Sequence, residues 1–116
     1  MHDILSQYYD IIQSYEVLQN EITETARKFK IKIYFINSTK LEGREFVFPE
    51  KRNYSFQWMN EDNSLIIRWD NAEHHRGLDN FPYHKHTANS EQAESSIEIT
   101  LVEVLAYIRN EMSKES

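Results

Sequence analysis

Cysteine is absent from this chain. Disulfides and thiolate chemistry are therefore excluded, which fits a reducing compartment. Positive charge is also short: 13 Lys and Arg stand against 19 Asp and Glu, for a net charge of −6. A broad electrostatic grip on nucleic acid usually shows as a basic domain, so any action on a phosphodiester has to come from a small basic pocket. No apolar run approaches the ~20 residues of a membrane span. Met1-His2-Asp3-Ile4 lacks the basic-then-apolar order of a secretory signal. A cytoplasmic protein without membrane contact is the expectation. Glycine and proline number only two each, and one of each falls within residues 68–86.

At 116 residues the chain suits one domain, residues 1–116, with a modest core. Residues 2–18 read as an amphipathic helix. Ile4, Tyr8, Ile11, Tyr15, Leu18 and Ile22 step by threes and fours, which lines them along one stripe. The same seam would also suit a partner helix. Residues 19–27 fit either a helical extension or a short edge strand. The period then changes to two: Phe29, Ile31, Ile33 and Phe35 alternate with Lys30, Lys32 and Tyr34. Asn37-Ser38-Thr39-Lys40 reads as a turn in which Asn37 tolerates the left-handed backbone. Residues 41–48 return as a strand, with Gly43 as the mark of a bulge. Residues 54–59 and 65–70 supply two more strands, and His84-Lys85-His86 is a candidate fifth. Residues 87–96 are a polar spacer. Thr100 or Ser96 caps a last helix whose stripe is Leu101, Val104, Leu105 and Ile108. Successive hairpins mean a meander. The expected fold is α+β: an antiparallel four- to five-stranded meander sheet with N- and C-terminal helices packed on one face. The other face, carrying Lys30, Lys32, Gln57 and Arg68, would be the floor of a site.

Residues 68–86 hold four of the five histidines. Connectors this long are unusual in a compact domain and are often functional. Imidazole titrates near neutrality, so one neutral and one protonated histidine can serve together as base and acid. RNA cleavage needs that pair, plus a cation beside the phosphate. His84 and His86 are the candidate base and acid, with His74 or His75 as substitutes. Lys85 or Arg76 can hold the phosphate, and Asp70 can orient an imidazole. Arg68, Arg76 and Tyr83 are the candidate substrate contacts. No cofactor is called for. His74, His84 and His86 are also plausible metal ligands, yet the spacing matches no standard metal motif. An inert connector is the plainest alternative. In that reading Trp69, Phe81 and Pro82 are packing anchors, Asn71 a turn or cap residue and Gly77 a source of positive φ.

Two stretches of this loop carry a resemblance. Trp69-Asp70-Asn71-Ala72-Glu73-His74-His75 and Phe81-Pro82-Tyr83-His84-Lys85-His86 resemble the signature of the TumE family of toxin–antitoxin toxins. Tyr54-Ser55-Phe56-Gln57-Trp58 is similar to a strand of that family, and the likeness spans roughly residues 28–110. Glu73 and Arg76 stand where the family carries prolines, and Tyr83 and Gln57 where it carries histidines. The resemblance implies a small prokaryotic toxin neutralised by a cognate antitoxin, often a helix-turn-helix protein. Beside it, the residues themselves suggest a metal-independent endoribonuclease, an RNA hydrolase working through a His/Lys/Arg site. The alternatives are a non-enzymatic partner-binding module, possible also as a homodimer, and a histidine-rich metal-binding protein. The ribonuclease expectation is geometric: Asp70, His74 or His75, and His84 or His86 must converge on one face of the sheet.

Overall fold

Alternation of apolar and polar residues governs most of this chain, and the result is a sheet. The computed structural model describes residues 2–71, 84–87, 94–95 and 99–114, with 2, 84–87 and 94–95 described as backbone only. The elements run α1 (His2–Gln7), β1 (Ile12–Ile22), β2 (Arg27–Phe35), β3 (Lys40–Phe48), β4 (Lys51–Met59), β5 (Leu65–Asp70), β6 (His84–Thr87), β7 (Glu94–Ser95) and α2 (Leu101–Lys114). All neighbouring strands pair antiparallel, and their order in the sheet is their order in the chain. The expected meander is therefore present. Its five strands β1–β5 are described with side chains, and β6 and β7 continue the backbone ladder.

The helix expected over residues 2–18 is overturned. Only His2–Gln7 is helical. The chain then turns, with the Ile11 and Ile12 amides both donating to the Tyr8 carbonyl at 3.0 and 3.2 Å, and goes on as the 11-residue strand β1. Of the residues spaced by threes and fours, Tyr8 and Ile11 are buried, whereas Tyr15, Leu18 and Ile22 are exposed. Ile12, Tyr15, Val17 and Ile22 are β-branched or aromatic and favour extended backbone. Pairing Tyr15 with Ile33 and Val17 with Ile31 gives them a ladder that a helix would forgo. For residues 19–27 the edge strand prevails through Ile22. Thr23 then closes the turn, its hydroxyl accepting from the Thr25 and Ala26 amides at 3.3 and 3.0 Å.

The core lies between one face of the sheet and α2. Phe29, Ile31, Ile33 and Phe35 of β2 are buried, as are Leu41, Tyr54, Phe56, Trp58, Ile67 and Trp69 on the following strands. Helix α2 covers them with Leu101, Val104, Leu105 and Ile108, the expected stripe. Thr100 caps this helix. Its amide and hydroxyl donate to Glu103 Oε1 at 3.2 and 3.0 Å, and the Glu103 amide returns a bond to Thr100 Oγ1 at 3.5 Å, the reciprocal box that satisfies orphan helix donors. Arg109 ties α1 to α2. It lies 4.2 Å over the Tyr8 ring and donates to the Gln7 carbonyl and to Asp10, both at 2.6 Å.

Two local expectations need correcting. Gly43 marks no bulge, because the register runs unbroken through β3 on both sides. A Cβ there would meet Phe56 Cδ1 at 3.2 Å and Ile31 Cγ2 at 3.3 Å, so glycine makes room for core side chains. The left-handed residue of the β2–β3 turn is Ser38, with φ of 73°. Asn37 instead braces that turn, its Oδ1 accepting from the Thr39 amide at 3.1 Å and the Thr39 hydroxyl at 2.6 Å.

Candidate functional site

The face of the sheet away from the helices collects the polar half of every alternating strand. Register places these residues in rows. Lys30 on β2 pairs with Arg44 on β3, Arg44 with Ser55 on β4, and Ser55 with Asp70 on β5. In the next row Lys32 pairs with Glu42, Glu42 with Gln57 and Gln57 with Arg68. Lys30, Lys32, Gln57 and Arg68 thus share the floor that the alternation in the sequence implied. The backbone ladder continues both rows into β6, where His84 pairs with Asp70 and His86 with Arg68. Lys85 pairs with Trp69, in the alternate row.

Asp70 is the one charged residue buried among the described residues. A carboxylate removed from water needs a partner. Arg68, two residues earlier on the same strand, supplies one, its Nε donating to Asp70 Oδ2 at 2.8 Å. Asn71 then fixes the point at which the chain leaves β5. Its Oδ1 accepts from the Tyr54 amide at 2.9 Å, and its Nδ2 donates to the Arg52 carbonyl. The side chain extends the β4–β5 ladder by one step.

A cavity of about 480 Å³ opens on this corner, lined in part by Arg44, Lys51, Asn53, Ser55, Arg68 and Asp70. Its charged lining is three cations and one carboxylate, the small basic pocket that an acidic chain would need. A second hollow of about 290 Å³ adjoins it, sharing Arg44 and Ser55 and reaching Lys30 and Lys32. Lys32 is held above its ordinary pKa by Tyr34 and by Glu42, whose carboxylate lies 3.4 Å away. A third hollow of about 290 Å³, beside α1, is lined by Leu5, Tyr9, Ile12 and Tyr15 with no charged group. It offers no chemistry for a phosphodiester.

The sequence model of the family described as Toxin TumE matches residues 1–112. The chain belongs to the TumE toxin family. No curated protein and no solved structure matches it. Membership makes this chain the toxin of a toxin–antitoxin pair, and it implies an antitoxin as partner. The match reaches beyond the strands and loop of the resemblance to take in α1 and β1.

In this TumE-family toxin, Arg68 and Asp70 are brought together as a direct ion pair on the open face. His84, Lys85 and His86 are placed as backbone positions in β6. His74, His75, Arg76 and Tyr83 lie outside the described residues, as do Phe81, Pro82 and Gly77. Trp69 is the packing anchor expected of it, buried against the edge of Tyr107 with ring centroids 5.5 Å apart. Among the described residues no group of three His, Cys, Asp or Glu is placed to hold a metal ion. The histidines of the metal alternative have no described side chains. No helix among the described residues is long and apolar enough to cross a membrane.

Sequence reasoning missed Arg44, Phe46, Asn53 and Ser55. Arg44, Asn53 and Ser55 line the basic corner, and Phe46 lies among cations on the same face. A signal was available: on a strand, residues two apart share a face, so the polar phase of β3 and β4 could have been read across as well as along.

Proposed function

We propose that this toxin is a metal-independent endoribonuclease whose active site lies at the Arg68–Asp70 corner of the open face. The observation that carries the reading is the buried Asp70, paired to Arg68 in a basic cavity, with backbone positions 84 and 86 next in the same two rows. His84 and His86 act as base and acid. One takes the proton from a ribose 2′-hydroxyl, whose oxygen attacks phosphorus. The P–O5′ bond breaks, and the other histidine protonates the leaving oxygen. A 2′,3′-cyclic phosphate and a 5′-hydroxyl result. Arg68, assisted by Arg76, steadies the charge on the phosphate, and Asp70 holds the cationic side in place; Lys85, in the row of Trp69, is left out of the site. Tyr83 contacts the substrate, and His74 or His75 completes the site from the loop. Gln57, where the family carries a histidine, shares its row with Arg68 and donates to Met59 Sδ at 3.2 Å. An amide cannot titrate, so proton transfer falls to the remaining histidines.

The antitoxin, a helix-turn-helix protein in this reading, blocks the toxin by direct binding. Exposed apolar residues support a protein partner: Tyr9, Ile22 and Ile36 keep 79%, 75% and 61% of their surface. To test the activity, the toxin is induced without its antitoxin, and cellular RNA is mapped for new 5′-hydroxyl ends, with and without chelator in the purified reaction. Cleavage that survives chelation and disappears in folded His84→Ala and His86→Ala variants is the expected result. Variants that fold and still arrest growth would sink the assignment.

A further inference from the structure

Beyond the corner itself, the open face carries a cluster that the reaction does not use. Lys28, Lys30 and Arg44 lie 5.8, 5.9 and 5.3 Å from the centre of the Phe46 ring. Lys51 stands 5.7 Å from the ring of Phe48. We propose that this face is a track for single-stranded RNA, entering at the Phe46 cluster and following the Lys30–Arg44–Ser55 row to Asp70. The proposal rests on the ribonuclease reading for its direction of travel, but the binding stands on its own observations.

The first of these is charge. None of Lys28, Lys30, Arg44 and Lys51 is ion-paired to a described carboxylate. In the neighbouring row Lys32 is already matched by Glu42. Among the described residues the two rows therefore differ: Lys30 and Arg44 have no carboxylate within ion-pair distance, whereas Lys32 has Glu42. On a chain of net charge −6, cations concentrated on one face are what an anionic strand would meet.

The second is the ring. Phe46 is half-buried among cations on this face, and Lys28 pairs with it directly across β2 and β3. An aromatic face set among cations is how sequence-tolerant single-strand binders work. A base stacks on the ring while the cations take the flanking phosphates. A paired duplex keeps its bases stacked inside and has none to offer Phe46. From Lys30 to Asp70 the row crosses three strand spacings, about 14 Å, so the track takes only a few nucleotides. Arg44 lines both hollows on this face and joins the entrance to the corner.

The test separates binding from cleavage by using a short, labelled 2′-O-methyl oligouridine, which has no free 2′-hydroxyl to attack. Fluorescence anisotropy with purified toxin should show binding that weakens with salt. Lys30→Gln and Arg44→Gln should each flatten the slope of log affinity on log salt by about 0.7. Phe46→Leu should weaken binding roughly tenfold with little change in that slope. Lys114→Gln on the helix side should change neither, and circular dichroism checks that every variant folds. Absence of binding overturns the track, and so does binding indifferent to Lys30, Arg44 and Phe46. Equal affinity for a short RNA duplex overturns its single-strand character. If the three variants lose the antitoxin but keep RNA, the face belongs to the protein partner and the proposal fails. A toxin that binds through these residues yet cleaves nothing keeps the track and removes the ribonuclease reading; one that cleaves but binds independently of them does the reverse.

Discussion

Asp70 and Asn71 are neighbours with separate tasks, one electrostatic and one architectural. Asp70 holds Arg68 in the corner, whereas Asn71 reaches back to two backbone groups of β4. Truncating Asn71 to alanine leaves the Tyr54 amide and the Arg52 carbonyl without those bonds at a half-buried position. The expected cost of Asn71→Ala is about 1–3 kcal/mol, read as a lower urea midpoint at unchanged slope. An Asn after a strand announces a turn or cap from its chemistry alone. Its partners lie 17 and 19 residues away, a distance that only the register of the folded sheet resolves. The same limit hid the Phe46 cluster. Lys30 was visible as part of the polar phase of its strand, but Arg44 and Phe46 join it only once β2 and β3 pair.

Helix α2 and strand β1 show why one element could be read from sequence and another could not. Over residues 101–108 the apolar residues follow the helical period with no competing alternation, and Thr100 with Glu103 spells a start signal. Losing that cap should weaken the helix end: Thr100→Ala is expected to cost about 1 kcal/mol, measured as a fall in Tm. Over residues 8–17, leading into β1, two periods overlap. Tyr8, Ile11 and Tyr15 suit a helix, while Tyr15 and Val17 suit a strand, and local spacing cannot choose between them. The neighbour decided, since β2 offers an unpaired edge running the length of β1. The central strands were legible because each presents one clean alternation, and a slip by one residue would turn Phe29, Ile31, Ile33 and Phe35 out of the core.

Across the whole molecule, one helix stripe covers the central sheet, so the core has little redundancy. Leu105 and Val104 are fully buried at 0% exposure. Leu105→Ala should cost about 2–5 kcal/mol, a large part of the ~5–15 kcal/mol that holds a domain together, and denaturant titration would show it. The same helix–sheet seam carries one contribution to stability that depends on alkaline pH. Tyr107 packs its ring edge-on against Trp58 and Trp69, at 6.3 and 5.5 Å. Burial there raises its pKa above the ordinary 10.0; Glu111 adds to the rise and Lys114 opposes it. Raising the folded-state pKa favours the neutral phenol in the native protein. The contribution is therefore intact below pH 10 and is lost as pH climbs through the folded-state value, because the unfolded chain ionises first. Tyr107→Phe keeps the ring contacts and removes the ionisation. Thermal melts of the two proteins should run parallel from pH 7 to 9 and diverge above about pH 10, with the wild type falling more steeply. Parallel curves through that range would show that the phenol is as free to ionise in the native state as in the unfolded chain.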